Sequence, residues 1–376
     1  MGNVLTGGGE RTMLTEPARG LRRILVIAVT AALLPTLPPL GSNQAQAAVG
    51  RVRVLSCRAS NPTCWPVGFD FTPDGRWLFY GERLTGQIRV YDRRTKADRL
   101  WKRISGLSTQ GEEGLLGLAV DPAWPNLRQI FVYATKKSPF RNEVIRIRRR
   151  ADGTFAVKTI LTIPANTFHD GGFVDFGPDG FLYVVTGDAG NKANAQRLSS
   201  RSGKILRIRR DGSAAPNNPF GNRVWSYGHR NSIGFAWDPP TGRLWETENG
   251  PECNDEINRI RKGRNFGWGP SSACPNTNAS GPNPVPPSRV YNPVIAPTGA
   301  AFCKACGLGS ATNGTLLFGA WLDGKIRRLK LSADRLSVVG SSTIYDHPSG
   351  IVGMHRGPNS WIYFSSPSGI YRLVLT

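Results

Sequence analysis

Two stretches of the chain gather the residue types that catalysis uses. In "HDGGFVDFGPDGFLYVVTGDAG", His169 leads and Asp188 stands near the end. A histidine titrates near neutrality, and a carboxylate that orients its ring makes it a general base. The plainer reading is a loop histidine bonded to a backbone carbonyl. In "VWSYGHRNSIGFAWDPPTGRLWETENGPECNDEINRI", Val224 to Ile260, Arg230 and Asn231 are followed by Glu246, Glu248, Glu252, Asp255 and Glu256, and Gly250-Pro251 interrupts the acids. Arg230 suits developing oxyanion charge, and the carbonyls of Gly250 and Pro251 suit a hard cation. Against that stands a reading in which the carboxylates are solvated turn residues.

Six segments repeat one pattern: an apolar strand, a Pro- or Gly-centred turn, an aromatic-rich strand, and a strand ending in Ile-Arg or Tyr-Arg. "VGFDFTPDGRWLFYGERLTGQIRVYD" and "GIVGMHRGPNSWIYFSSPSGIYRLVL" are the first and last. Period-2 alternation and Pro-Asp-Gly turns make each a meander of short antiparallel strands. At about 55 residues per unit, the period is that of propeller blades. A lone meander cannot bury both faces, so the expectation is an all-β six-bladed β-propeller, closed by "RVRVLS" (Arg51 to Ser56) completing the last blade. A sandwich leaves the repeat unexplained. Loops at one end of a propeller's channel converge, which brings the insertions of blades three and four together. Ser271 to Val294 reads as a polar, Pro-rich loop between blades four and five. Its Asn278-Ala279-Ser280 matches a glycosylation acceptor, a pattern common by chance.

At 376 residues and 39% apolar, the chain can bury a full core. Arg22 and Arg23 precede the apolar run Ile24 to Leu34, prolines follow, and Ala45-Gln46-Ala47 supplies a small-residue cleavage pattern. Residues 1–47 therefore read as a secretory signal cut after Ala47, and residues 48–376 as a single propeller, secreted, periplasmic or at the cell surface. The apolar run is too short for a membrane span. In an oxidising compartment the six cysteines suggest disulfides, most simply Cys57–Cys64, Cys253–Cys274 and Cys303–Cys306, with zinc at Cys303-x-x-Cys306 as the alternative. The net charge is +22, and removal of residues 1–47, with four arginines and two glutamates, leaves +20. The arginines end strand-like runs rather than lining one helix among stacking aromatics. That pattern argues against specific nucleic-acid binding and for loose attraction to anionic cell-envelope polymers.

The segments "GEEGLLGLAVDP", "HDGGFVDFGPDGFLYVVTGDAG", "SSRSGKILRIRRDGSAAPNNPF", "YGHRN", "ENGPECNDEIN" and "GRNFGWGP", in this order, resemble the glucose/sorbosone dehydrogenase family across Val52 to Leu375. The resemblance implies a six-bladed propeller that oxidises a sugar at its anomeric carbon, with pyrroloquinoline quinone (PQQ) as acceptor and calcium as a second cofactor. By the same resemblance, His169 is the base and Asp188 its support, and Arg230 and Asn231 lie beside the quinone carbonyls. Gly250 and Pro251 offer carbonyls to the calcium that polarises PQQ, and Glu256 with the Phe266 carbonyl matches a structural calcium position. Glu112 stands where the family has a glutamine in contact with the cofactor.

Three family cations are replaced, by Leu322, Gly350 and Val352, each a loss of about 1.5–3 kcal/mol if its charged hydrogen bond is not replaced. Arg356, Lys325 and Lys304 are the nearby substitutes. The replacements make a catalytically silent propeller that binds glycans or anionic polymers the alternative function. A propeller lactonase would need acidic and amide ligands converging on the channel axis, and the sequence displays no such set.

Overall fold

Short runs rich in β-branched and aromatic residues, punctuated by Gly and Pro, fold into 24 strands in the computed structural model, which describes residues 48–376. The strands form six four-stranded antiparallel sheets, the blades of a propeller. Their inner strands are Phe69–Phe71, Leu115–Val120, Val174–Phe176, Ser232–Trp237, Pro297–Phe302 and Gly353–Arg356. The expected closing strand spans Val49–Ser56 and pairs antiparallel with Gly369–Leu375, so the first and last strands of the described chain share blade six. The expected secretory signal, residues 1–47, lies outside the described residues. No described helix is long and apolar enough to cross a membrane.

Each blade buries the two faces of its period-2 strands against its neighbours. Blade two sends Phe131 and Tyr133 against Val174 and Phe176 of blade three. Tyr183 of blade three meets Trp237 of blade four edge-on at 4.7 Å. The buried tyrosines find acceptors for their hydroxyls, as Tyr133 does on the Asp170 carbonyl at 2.9 Å and Tyr183 on Asp179 at 3.0 Å.

All three cysteine pairs form as disulfides in the pairing expected from sequence proximity, which disposes of zinc at Cys303-x-x-Cys306. The Ser271 to Val294 stretch departs from expectation. It contains the outer strand of blade four, Arg289–Tyr291, and so connects the third and fourth strands of that blade. Three residues between prolines and serines are too short a run to read as a strand. Its Thr277 and Ser280 are buried. Asn278 donates inward to the Phe266 carbonyl at 2.6 Å, so its amide is committed within the protein.

Candidate active site

The segments leading into the inner strands and the turns between second and third strands share one mouth of the ring. His169 precedes the inner strand of blade three in a left-handed conformation, φ 65°, which costs a non-glycine residue about 1–3 kcal/mol. Both of its backbone polar groups are tied. Its N–H donates to Glu112 Oε2 at 2.9 Å, and its carbonyl accepts from Ala189 at 3.1 Å. The returning chain passes so close that a Cβ on Gly187 would lie 1.9 Å from that carbonyl, so only glycine fits there.

Asp188 is fully buried and accepts three hydrogen bonds of 2.8 Å, from His169 Nδ1, the Gly190 N–H and Trp268 Nε1. This carboxylate fixes the imidazole with its proton on Nδ1 and leaves Nε2 as the acceptor nitrogen. The histidine side chain stays 22% exposed, enough to meet a ligand.

Asn231, also buried, donates to Glu112 Oε2 at 3.1 Å and accepts from the Gly171 N–H at 3.2 Å. Glu112 is thus spent on tying blade two's loop to blades three and four. Arg230 donates through Nη1 to the Asn249 carbonyl at 3.0 Å and lies 5.4 Å over the Trp268 ring. Its Nε is buried with no partner. Burial lowers the guanidinium's pKa, while Asp188 and Glu248 oppose that shift.

Blade four presents the carboxylates. Glu246 and Glu248 are two apart on one strand, and Glu256 pairs with Glu248 from the next, so all three share a face. Glu248 accepts from His229 Nδ1 and from the Arg230 N–H. His229 is fully buried, bonded to Ser226 and stacked on Phe266, and belongs to the scaffold. Neither oxygen of Glu246 has a partner, and burial with Glu248 alongside holds its carboxyl well above the usual range. Burial and then Glu248 push Glu256 to about 8. Gly250 and Pro251 border the same recess as Glu248, Glu256 and Asn278, with the Phe266 carbonyl behind Asn278. Arg230 also borders this recess, but no described guanidinium or ammonium pairs with Glu246 or Glu256, and buried carboxylates left unpaired call for protons or a metal cation. Of the five acids from Glu246 to Glu256 only Glu252 is exposed. Asp255 is a scaffold group that accepts from the N–H groups of Gly250, Ile295 and Ala296.

A cavity of about 440 Å³ opens beside these groups, with Glu112, Phe168 and Asn249 on one side and Trp65, Trp321 and Val352 on the other. Arg83 is the one cation among its described lining residues. It donates to the Glu113 carbonyl at 3.0 Å and lies 5.3 Å over the Trp65 ring. Sequence reasoning missed Arg83, although it occupies the same turn of blade one that holds Asp188 in blade three. Trp65 and Trp321, 5.1 Å apart, were missed as well.

The three replaced positions differ. Val352 is an apolar wall, Leu322 is 60% exposed and outside the lining, and a Cβ on Gly350 would lie 2.1 Å from Trp321 Cε3. The tryptophan thus fills the space a longer residue at 350 would need. Of the proposed substitutes, Arg356 ends its inner strand on the far side, where it bonds Ser360, and Lys304 lies past the far end of its own, so neither lines the cavity. Lys325 starts a strand on the near side without lining it. In the channel Asp70, Asp175 and His355 come together, two carboxylates and an imidazole without the amide ligands that a lactonase set would need.

The family model described as Glucose / Sorbosone dehydrogenase matches residues 63–372. Quinoprotein glucose dehydrogenase B of Acinetobacter calcoaceticus is 32% identical over 234 residues, 52% of this chain and 48% of that one. The chain therefore spans about half of that relative's length. An uncharacterized Synechocystis protein is 32% identical over 290 residues, 68% of each chain. The PQQ-bound structure of an aldose sugar dehydrogenase from Streptomyces coelicolor superposes with a TM-score of 0.75 at 26% identity, covering 88% of this chain and 99% of that one.

Proposed function

The chain belongs to the glucose/sorbosone dehydrogenase family and is an oxidoreductase acting on sugars, and from that premise we propose that it is an exported, PQQ- and calcium-dependent aldose dehydrogenase oxidising the anomeric carbon. The observation that carries the reading is the His169–Asp188 pair beside Arg230, next to a cavity that their neighbours Phe168, Gly171 and Asn249 line. The donor set fits the cofactors: Arg230 keeps an unspent buried Nε for an anionic oxygen, and the blade-four recess gathers the buried carboxylates of Glu248 and Glu256 beside backbone carbonyls.

Bound PQQ supplies the acceptor for the electron pair and hydrogen that leave the sugar. His169 Nε2 takes the proton of the anomeric hydroxyl, and Asp188 holds the ring and stabilises the imidazolium. The guanidinium of Arg230, its Nε buried, offsets negative charge that develops on oxygen. Asn231 keeps Glu112 and the Gly171 backbone in place around the base. The carbonyls of Gly250 and Pro251 would hold one calcium, and Glu256 with the Phe266 carbonyl another, oxygen donors of the kind that cation takes. Export follows from residues 1–47, and the charge of +20 left after their removal would draw the protein loosely to anionic envelope polymers.

The residues without charge standing where the family has cations, with Trp321 filling the space beside Gly350, favour a second reading, a silent propeller binding glycans or anionic polymers. Calcium with PQQ should raise the melting temperature and permit aldose-dependent dye reduction. A melting temperature and absorption spectrum unmoved by high PQQ and calcium would reject the dehydrogenase reading and leave the binder.

A further inference from the structure

Asp70 belongs to the inner strand of blade one, Asp175 to that of blade three and His355 to that of blade six. Blades three and six face each other across a ring of six, so their side chains meet only in the central channel. There His355 Nε2 lies 3.4 Å from Asp175 Oδ2 and 3.5 Å from Asp70 Oδ1. The ligand atoms of all three lie within 4.8 Å of one another.

Sheet register sets the level. Asp70 pairs with Phe79, Asp175 with Tyr183 and His355 with Tyr363. The corresponding pairs in the other blades are Ala119–Phe131, Ala236–Trp245 and Ala301–Leu317. One position per blade thus carries a metal-binding side chain three times and only a methyl group three times, which leaves room around the trio. His355 is three steps along the chain from Val352 on the cavity wall, so the cluster lies about 10 Å down the channel from the catalytic site.

The spacing suits an ion better than a hydrogen bond. A charge-assisted N–H···O contact closes to about 2.7–2.9 Å, shorter than either separation here. Around tetrahedral zinc, with bonds of about 2.0–2.1 Å, neighbouring ligand atoms stand about 3.3–3.4 Å apart. Both carboxylates are oriented by backbone donors. Asp70 accepts from Phe71 at 2.6 Å and Val120 at 2.8 Å, and Asp175 accepts from Phe176 at 2.7 Å through the oxygen turned away from His355. The side chains of Asp175 and His355 are 25% and 17% exposed, which gives an ion a way in.

The geometry points to a transition-metal site in the channel, in which Asp70, Asp175 and His355 hold a divalent cation of the zinc class and leave its fourth position open. The imidazole selects against calcium and magnesium, which take oxygen donors. The bound ion ties blades one, three and six directly across the ring. The competing occupant is a proton on His355, which would make the trio a plain ion-pair cluster.

The test uses the processed protein stripped with chelator, reloaded with saturating calcium, and titrated with zinc or cobalt. The expected result is one zinc equivalent by calorimetry and the intense visible absorption of tetrahedral cobalt. Asp175→Asn and His355→Gln, which keep side-chain volume, should each weaken binding by more than the roughly 100-fold that loss of an outer partner can cost. Melting of the calcium-loaded variants checks that they fold. Absence of tetrahedral cobalt bands in the wild type overturns the proposal whatever the variants do. Binding that persists unchanged in both variants assigns the ion to another histidine and overturns it too.

Discussion

His169 and Asp188 divide one task, and their variants should separate its parts. His169→Ala removes the base, so turnover should fall by about 10²–10⁴-fold, with PQQ affinity nearly unchanged because the base acts on the sugar. Asp188→Asn keeps the volume but can donate a proton toward the imidazole, releasing the ring from its Nδ1–H form. A loss of turnover of similar size with a displaced pH profile is expected, and steady-state kinetics across pH would check it. Arg83 works differently, as the one described cation on the cavity lining. Arg83→Ala should weaken PQQ binding about tenfold to a hundredfold, the loss of one charged hydrogen bond of about 1.5–3 kcal/mol, with Arg83→Lys recovering part of it in a fluorescence titration. The sequence made His169, Asp188 and Arg230 visible because each sits in a run whose neighbours are distinctive. It hid Arg83, Trp65 and Trp321 because a cavity wall drawn from several turns has no local signature.

At the scale of the strand, the repeat was legible because apolar alternation and Pro-Asp-Gly turns are written locally. The outer strand of blade four was not, since a three-residue run with two exposed members acquires strand geometry only by pairing with Asp255–Arg259. The seam between blades five and six offers a test of its own. His347 follows the outer strand of blade five, packs on Phe364 and Tyr371 of blade six, and lies 3.2 Å from Arg51 Nη1 on the closing strand. Burial, with Arg51 and Arg53 adding to it, lowers its pKa from 6.5 to about 4. The unfolded chain therefore binds the proton more tightly than the folded one. The contribution of a neutral His347 is whole above pH 6.5 and is lost as pH falls towards 4. His347→Gln should flatten the decline in melting temperature across that window relative to the wild type, while parallel curves would show that other groups carry the acid sensitivity.

For the whole molecule, closure of the ring links the fold to the expected processing site. The first described residue, Ala48, accepts a hydrogen bond from the backbone N–H of Thr376 at 2.8 Å, and Val49–Ser56 completes blade six. Cleavage after Ala47 would therefore leave the closing strand whole with a single residue to spare, whereas a cut a few residues later would remove rungs from the ladder that joins the chain's two ends. The secreted protein is accordingly expected to begin at or beside Ala48, and N-terminal sequencing of the exported material would check that boundary. Removing residues 48–56 by design should do more than shorten the protein. It strips Leu55 from the cluster it shares with Phe69, Tyr80 and Ile370, and it exposes the edge of Gly369–Leu375 to pairing with another chain. The truncated ring should melt at a markedly lower temperature and aggregate on heating, and a synthetic peptide of residues 48–56 should restore part of the loss as its concentration rises. A truncated protein that melts like the full ring and ignores the peptide would show that the blade interfaces alone hold the propeller closed.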